Sequence, residues 1–400
     1  MHTVFRYGLP SETFIRDLLA VVETQGWENW VAARGIEDLS SSPLAPERIR
    51  VPSDPPPLAP RVAARLVPGF TGRRMRARHG YLQLAREIRP DVIHAHFGWT
   101  GVDAVLAARR LDVPLLVSFH GTDLTVDAWQ PHWRPYYERL LKAADRVTVV
   151  SRFLEDKLRA LGYEDNVDVL PAGVDPERFA FRGPRQADER MRLLFVGRLI
   201  ECKGLDVLLH ALAIVRRAEP GVSLEVIGDG PTREVAEQLT DSLGLCDAVE
   251  FRGAQSHEQV SRALGRSDVL VAPSRTMPNG QAEGSPVVTK EALAVGVPVV
   301  ATDAGGLPET LPVECRRRIV PEGDSEGLAA EVTRLWCDAQ LRHEVSERGR
   351  RWVLEQFDLR RLGERTAAIY EALATTVPQV RAACAHHEQT PRPSVRIWGR

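Results

Sequence analysis

Short apolar runs alternate with helical patterns along the first half of the chain. Runs typical of buried strands occupy residues 31–34, 92–96, 114–119, 146–150 and 167–170. Apolar residues at helical spacing fill the intervals at 101–110, 135–144 and 151–161. Buried strands separated by helices are typical of a parallel sheet that is covered on both faces. The first half is therefore predicted to form an α/β domain with a doubly wound sheet.

The same alternation begins again in the second half of the chain. Residues 175–189 contain two prolines and a glycine and no apolar period, so they are predicted to be a connecting loop. Further strand-like runs follow at 192–197, 224–227, 248–251, 269–272 and 298–301. We place the domain boundary near residue 185, so that 1–184 form one domain and 185–350 a second. Two open α/β sheets that face each other leave a ligand-binding cleft at the carboxyl ends of their strands.

The C-terminal segment differs from both halves. Residues 351–373 keep a helical period, and this final helix is predicted to end at Ala374. Beyond it the chain carries prolines and arginines without an apolar period. We expect residues 375–400 to form a flexible tail.

Composition narrows the class of protein. The apolar fraction is 44% and the charged fraction 26%, as in soluble globular proteins, and we find neither a membrane-spanning run nor a signal sequence. The formal net charge of −2 argues against a dedicated nucleic-acid binder. The five cysteines are scattered and indicate neither a disulfide framework nor a zinc site. We expect a cytoplasmic protein.

An arginine-rich stretch interrupts this balance. No acidic residue lies between Pro55 and Arg86, and several arginines fall in the region Arg61–Arg78. The simpler interpretation is a solvated helix and loop surface. The alternative is a peripheral contact with anionic lipid at the inner membrane face, or with an anionic acceptor.

The segment 197–204 (GRLIECKG) follows the first strand of the second half. Arg198 offers a planar fork of donors and Lys203 a compact positive charge, a combination suited to a diphosphate. Gly197 and Gly204 would let the backbone approach a ligand closely. Taken alone, the two cations are equally typical of a surface salt-bridge pair.

Two carboxylates spaced eight residues apart strengthen the first interpretation. Glu283 precedes a turn formed by Gly284, Ser285 and Pro286, and a helix that carries Glu291 is predicted to follow. The peptide N–H groups from Gly284 to Val287 would bind a phosphate at the helix N-terminus. Glu283 would then face the hydroxyls of a sugar, and Glu291 would accept the hydroxyls of a ribose.

The chain resembles the GT-B glycosyltransferases, and specifically glycosyltransferase family 4, whose members retain anomeric configuration. The resemblance covers nearly the whole chain and depends on the order and spacing of several motifs. These motifs are SETFI at 11–15, SFHGTD at 118–123, VDPERF at 174–179, GRLIECKG at 197–204, GDGP at 228–231 and the E-x7-E element at 283–291. The resemblance implies two Rossmann-like doubly wound domains facing a central cleft, with the final helix crossing back to the first domain.

The resemblance also implies roles for residues. His120 matches a histidine whose backbone carbonyl lies near the reacting centre, and Glu283 matches the carboxylate on the donor sugar. Arg198 and Lys203 match the diphosphate clamp, and Glu291 matches the ribose ligand. Gly8 resembles a glycine of the loop beneath the phosphates and the acceptor, and Arg252-Gly253 resembles the segment whose backbone reads the base.

The family implies a nucleotide-sugar co-substrate, with a UDP-sugar weighted first, and no metal cofactor. The leaving diphosphate would be stabilised by Arg198, Lys203 and the helix N-terminus, and no D-x-D motif stands in a suitable position. No protein nucleophile is evident, which fits a front-face displacement. Lys290 is unexpected, because an apolar residue is typical before the second glutamate; we expect it to snorkel or to touch phosphate.

Three functional alternatives stay open on the sequence alone. The SETFI motif and the segment 91–98 (DVIHAHFG) look most like transferases of exopolysaccharide assembly, whose acceptors are lipid-linked. Glycosylation of a small natural product such as an aminocyclitol antibiotic fits the chain length equally well. A non-catalytic nucleotide-sugar-binding subunit on the same scaffold is the third alternative, although the complete set of four charged ligands argues against it.

Overall fold

A computed structural model describes residues 1–9, 12–52, 69–184 and 190–388, the stretches 69–76 and 376–388 as backbone only. In this part of the chain, parallel strands form a seven-stranded sheet in the first half. The strands are β1 (His2–Tyr7), β2 (Val31–Ile36), β3 (Ile49–Arg50), β4 (Ile93–His96), β5 (Leu115–Phe119), β6 (Arg146–Val149) and β7 (Val167–Val169), in the spatial order β3-β2-β1-β4-β5-β6-β7.

A second parallel sheet of five strands follows within the described residues. It contains β8 (Arg192–Val196), β9 (Ser223–Ile227), β10 (Val249–Gly253), β11 (Val269–Ala272) and β12 (Val299–Ala301), in the spatial order β10-β9-β8-β11-β12. Each sheet reverses its strand order beside its first strand, so each has a topological switch point.

Helices connect the strands of both sheets. In the first half these are α1 (Thr13–Thr24), α2 (Gly69–Ile88), α3 (Gly98–Leu111), α4 (Thr122–Thr125), α5 (Arg134–Ala143) and α6 (Arg152–Ala160). The second half contains α7 (Leu205–Ala218), α8 (Arg233–Ser242), α9 (His257–Leu264), α10 (Val287–Val295), α11 (Ser325–Cys337), α12 (Ala339–Gln356) and α13 (Leu359–Glu388). The predicted two-domain α/β fold with doubly wound sheets is confirmed.

Strand β5 shows why the sheet strands are apolar at nearly every position. Leu115, Val117 and Phe119 pack into a cluster on one face of the sheet. Leu116, which points to the other face, packs with residues of α1 and α13. Because both faces are covered, every residue of this strand is buried, and all but Ser118 are apolar.

The C-terminal segment differs from the prediction in two ways. The predicted helix at 351–373 is divided between α12 and α13, which meet at Phe357 and Asp358. There the backbone N–H of Val174 donates to the Phe357 carbonyl at 2.8 Å, which returns the chain to the first domain. Helix α13 continues to Glu388, so the segment that follows Ala374 is helical and the expected tail does not begin at 375. Residues 389–400 lie outside the described part.

The two halves also meet through a helix end. Ser151 caps α6, its hydroxyl accepting from the backbone N–H of Leu154. The Glu309 carboxylate, from the second half, accepts from the backbone N–H groups of Arg152 and Phe153 at 2.8 Å each. The N-terminus of a first-domain helix is thus completed by an acid of the other domain.

The arginine-rich region is described only in part. Arg61 and Arg65 lie outside the described residues, and Arg73, Arg74 and Arg76 belong to the backbone-only stretch of α2 and its neighbourhood. Arg78 is ion-paired with Asp103 at 3.6 Å. Among the described residues, no helix has the length and apolar character needed to cross a bilayer.

Candidate active site

Two cationic side chains follow the end of β8 on the second-domain side of the cleft. Arg198 is exposed, and Lys203 ends a short 3₁₀ turn. Gly204 follows with a φ of +67°, and a Cβ at this position would clash with the carbonyl oxygen of Pro273. The turn therefore requires glycine because of the Pro273 backbone, whereas the sequence predicted a role in the close approach of a ligand. It places both cations at the carboxyl end of one strand.

The carboxylate of Glu283 is the partner of Lys203. The ammonium nitrogen of Lys203 lies 2.5 Å from Glu283 Oε1, and the hydroxyl of Ser274 donates to the same oxygen at 2.8 Å. The two charged side chains retain 22% and 12% exposure, so the pair stays accessible from the cleft. A charge-assisted hydrogen bond of this kind fixes both side chains. The structure thus brings together two residues that the sequence assigned to neighbouring groups of one ligand.

The segment after Glu283 forms the predicted turn and helix start. Helix α10 begins at Val287, and Pro286 occupies the N-cap position. No side chain of the described residues caps this helix, so its first N–H groups remain available to a ligand. Ser285 accepts a hydrogen bond from Lys290 at 3.1 Å. An uncapped helix N-terminus directly beside a Lys–Glu pair is suited to binding a phosphate.

His120 follows β5 on the first-domain side of the cleft. Its imidazole packs between the rings of Phe14 and Phe97, each with a centroid separation of 4.7 Å. Burial, and then the neighbouring His96, hold the pKa of His120 well below its usual value. The ring is therefore neutral near pH 7. Its Nδ1 is buried and has no hydrogen-bond partner among the described residues.

The loop around His120 is held by a buried carboxylate. Asp123 accepts from the backbone N–H groups of Gly98, His120 and Gly121 at 3.0, 3.2 and 2.9 Å. Burial raises the pKa of Asp123 to about 6, although these three hydrogen bonds oppose the shift. Phe97 has a φ of +70°, which costs a non-glycine residue about 1–3 kcal/mol. This strained residue supplies one of the two rings against His120.

The two sides of the cleft meet at Gly284. A Cβ on this residue would clash with the carbonyl oxygen of His120 and would lie 3.3 Å from the Cα of Gly121. The His120 carbonyl therefore faces the turn that carries Glu283. A Cβ on Gly306 would likewise clash with the carbonyl oxygen of Gly284, and the Gly306 N–H donates to the Glu283 carbonyl at 2.8 Å.

Three other predicted ligand residues lie at strand ends and are engaged locally. Gly8 follows β1 with a φ of +87° and packs against the backbone of Asp38. The Arg252 side chain forms ion pairs with Glu225 and Glu250 at the sheet edge. The carbonyl of Gly253 accepts from the N–H of Gly228 at 2.8 Å. For Arg252, a role in base binding would thus belong to its backbone.

Glu291 lies in a buried, charged cluster between the domains. Its carboxylate is 3.5 Å from His257 Nε2, and the same ring nitrogen lies 2.8 Å from the hydroxyl of Thr13. Burial, then Asp17, raises the pKa of Glu291 to about 8. The sequence predicted the ribose ligand here but not its contact with His257 of α9 or the bond from His257 to Thr13 of α1, because the latter depends on the packing of one domain against the other.

Lys290 corrects an expectation. It does not snorkel, because its side chain is completely buried. Its ammonium group donates to the Ala172 carbonyl at 2.8 Å and to the Ser285 hydroxyl, and it lies 5.0 Å from the centre of the Phe357 ring. Burial lowers the pKa of Lys290 to about 7. The lysine thus joins the start of α10 to the domain junction.

Glu12 belongs to the SETFI motif, but the sequence assigned it no role. Its Oε2 is buried without a hydrogen-bond partner in the described part of the chain. Burial raises the pKa of Glu12 to about 7, opposed by the positive charge of Arg198 and reinforced by Asp123. The sequence did offer one indication of a role: this glutamate follows shortly after the end of β1, where ligands of a parallel sheet bind. The carboxyl group faces the charges of the cleft.

Comparisons with known proteins agree with this geometry. A family model described as "Glycosyltransferase Family 4" matches residues 11–178, and one described as "Glycosyl transferases group 1" matches residues 177–352. The glycosyltransferase WcaL of Escherichia coli strain K12, named for colanic acid biosynthesis, is 31% identical over 296 residues, which are 73% of each chain. A GDP-mannose-dependent phosphatidylinositol monomannoside mannosyltransferase of Mycolicibacterium smegmatis is 32% identical over 68% of this chain and 75% of its own length.

Solved structures show the same architecture. The Anabaena protein Alr3699/HepE, crystallised in complex with UDP, superposes with a TM-score of 0.71 at 20% identity. The match covers 93% of this chain and all of that one. At this identity the likeness concerns the fold, and it extends over both domains.

Proposed function

Because the chain belongs to glycosyltransferase family 4, we propose that it moves a sugar from a nucleotide-diphosphate sugar to an acceptor hydroxyl with retention of anomeric configuration. The Lys203–Glu283 pair beside an uncapped helix N-terminus, facing the His120 carbonyl, carries this proposal. Cations and peptide N–H groups on one side of the cleft would bind a diphosphate. The carboxylate and the carbonyl would contact the sugar between them.

The proposed reaction is a front-face displacement. The bond from the anomeric carbon to the phosphate oxygen breaks, and a bond from that carbon to the acceptor oxygen forms on the same face. The proton of the acceptor hydroxyl passes to the departing phosphate oxygen. Arg198, Lys203 and the N–H groups at the start of α10 would stabilise the charge that develops on the diphosphate. On this proposal no divalent metal takes part.

The proposed donor is a UDP-sugar. A fold neighbour crystallised with UDP supports this choice, whereas the mycobacterial relative is named for GDP-mannose. The bases differ in their hydrogen-bonding edges, and the backbone of Arg252 and Gly253 at the end of β10 is the expected reader of the base. A binding measurement therefore decides between them.

The proposed acceptor is a growing exopolysaccharide or a glycolipid. Two relatives support this class, since one is named for colanic acid biosynthesis and the other for a phosphatidylinositol mannoside. Such an acceptor would place the enzyme in the cytoplasm with peripheral contact at the membrane, through the Arg61–Arg78 region. A small natural product as acceptor, or a purely non-catalytic nucleotide-sugar binder, remain the alternatives.

The donor site is tested by thermal shift with UDP, GDP, ADP and their common sugar conjugates, with and without EDTA. We expect one nucleotide series to stabilise the protein equally in both conditions. Lys203→Met should weaken the binding of that nucleotide by about 10-fold or more, since one charge-assisted contact is worth about 1.5–3 kcal/mol. Lys142→Met removes an exposed lysine outside the cleft and should leave the shift unchanged. Stabilisation that EDTA abolishes would contradict metal independence, and no shift with any nucleotide would overturn the donor site.

A further inference from the structure

Four histidines cluster beneath the cleft in the first domain. His2 in β1 and His94 and His96 in β4 are almost completely buried, and His120 directly follows β5. Burial holds the pKa of His2 and His94 well below the usual value and lowers that of His96 to about 3. All four rings are therefore neutral at physiological pH. The proposed reaction uses only His120.

Three of these rings form a continuous chain of hydrogen bonds. His2 Nε2 lies 2.9 Å from Asn29 Oδ1, and His2 Nδ1 lies 3.1 Å from His96 Nε2. His96 Nδ1 lies 3.4 Å from His120 Nε2. The joined rings are nearly parallel, at interplanar angles of 12° and 20°. Ring nitrogens thus contact one another in the order His2, His96 and His120, starting from Asn29.

The direction of the chain is set at Asn29. The amide nitrogen of Asn29 donates to the Leu19 carbonyl at 3.1 Å, which turns the amide oxygen towards His2. An amide oxygen only accepts, so Nε2 of His2 carries the hydrogen. A neutral imidazole has one donor and one acceptor, which leaves Nδ1 of His2 as an acceptor.

The same rule applies at each following ring. His96 must donate from Nε2 to His2, so its Nδ1 accepts from Nε2 of His120. His120 is left with a lone pair on Nδ1, the buried nitrogen without a partner among the described residues. We propose that Asn29, His2 and His96 act as positioning residues that fix His120 in its Nε2–H tautomer, so that Nδ1 is the ring nitrogen able to accept a hydrogen bond once substrate displaces the packing that buries it. This inference rests on the proposed function only for the identity of the substrate.

A metal centre is the other arrangement that His2, His94 and His96 suggest, because their ring nitrogens lie within 4.8 Å of one another. Hydrogen bonds disfavour it. Both nitrogens of His94 are engaged at 2.6 Å, with the hydroxyls of Tyr370 and Ser118, and both nitrogens of His2 and His96 belong to the chain. A metal ion would have to replace these contacts.

The tautomer of His120 is measured directly by ¹⁵N NMR on protein labelled at histidine, with the signal assigned by its loss in His120→Gln. We expect Nε2–H in the wild-type protein. In His2→Phe the chain loses its acceptor, so His96 can reverse and His120 should populate the Nδ1–H form. Turnover of the donor identified by thermal shift should fall by about tenfold in kcat, the effect of one lost neutral hydrogen bond.

Two variants separate this role from simple packing. His94→Phe removes a histidine of the same cluster and similar burial that lies outside the chain, so it should leave the His120 tautomer unchanged. His2→Gln restores an acceptor and should restore both the tautomer and kcat. Nδ1–H on wild-type His120, or an unchanged tautomer in His2→Phe, would overturn the proposal, as would one equivalent of bound zinc that both phenylalanine variants lose. The NMR result is obtained on the free protein, so it stands even if the transferase proposal fails.

Discussion

The two sides of the cleft solve the problem of placing polar groups in different ways. On the first-domain side the polar groups are buried, and the imidazoles among them are neutral, as burial lowers the pKa values of His2, His96 and His120. On the second-domain side Arg198, Lys203 and Glu283 keep some exposure, and Lys203 forms an ion pair with Glu283. On the first-domain side the polar groups are arranged by the direction of their hydrogen bonds. On the second-domain side they are arranged by attraction between opposite charges.

The difference suggests a division of labour. The charged side chains would lose part of their hydration when a diphosphate binds. Their attraction to the phosphate charges would offset that loss. A neutral, desolvated surface beside the sugar would not compete for those charges, and would preserve the strength of each hydrogen bond. The contact between Gly284 and the His120 carbonyl is where the two environments touch.

The largest expected effect comes from separating the two sides. In Gly284→Ala the added methyl group would clash with the His120 carbonyl, which must then move away from the turn. Because a displacement of about 1 Å in a catalytic site costs roughly 100-fold, we expect a fall of about that size in kcat/KM for transfer. Initial rates over a range of donor concentrations would measure it.

Gly35→Ala is the matched control, because its added Cβ would meet the Arg6 side chain at an ordinary distance of 3.5 Å. Its activity should stay close to that of the wild type. Full activity in Gly284→Ala would show that the two sides do not need this contact.

A smaller effect concerns Lys290, the buried charge that the second domain places against the first. Burial lowers its pKa to about 7, so between pH 7 and the ordinary lysine range the folded chain binds fewer protons than the unfolded chain. The contribution of Lys290 to stability therefore rises with pH in this interval. Relative to Lys290→Met, the free energy of unfolding of the wild type should rise by roughly 1 kcal/mol per pH unit, measured by urea unfolding between pH 7 and 9.5.

Lys142→Met serves again as the control, since this lysine is exposed. The difference between wild type and Lys142→Met should not change with pH over the same range. Parallel pH profiles for all three proteins would mean that Lys290 keeps an ordinary pKa in the folded chain.

The smallest effect is expected at Arg252. Its side chain forms exposed ion pairs with Glu225 and Glu250, each worth about 0–1 kcal/mol. Arg252→Ala should therefore change the dissociation constant of the preferred nucleotide less than about threefold, by calorimetric titration. A loss of tenfold or more would assign the base contact to the side chain instead of the backbone.

Much of the fold was predictable from the sequence, because buried strands and helical periods are local signals. The strands from β4 to β12 lie within one or two residues of their predicted positions wherever both faces of the sheet are covered, as in β5. The division of the last helical segment at Phe357 was not predictable. It depends on the hydrogen bond from Val174, a residue distant in sequence.

The candidate site was predictable to the same extent. Glycine spacing and the E-x7-E element indicated the turn at Lys203 and the helix start after Glu283. The histidine chain was missed, although His94 and His96 stand two residues apart on a predicted strand. Alternation places both on one face of β4, but the third ring comes from β1 and the direction of the hydrogen bonds from Asn29. Neither contact is visible in a linear pattern.

The bonds between the Glu309 carboxylate and the first N–H groups of α6 make this helix end sensitive to domain separation. If the domains separate, the N–H groups of Arg152 and Phe153 lose their acceptor while the rest of α6 keeps its own hydrogen bonds. Helix N-caps contribute about 0.5–2 kcal/mol, so the first turn would fray in the open form. The hydrogen-exchange rates of these two backbone amides would therefore report how often the domains open, and no added label would be needed.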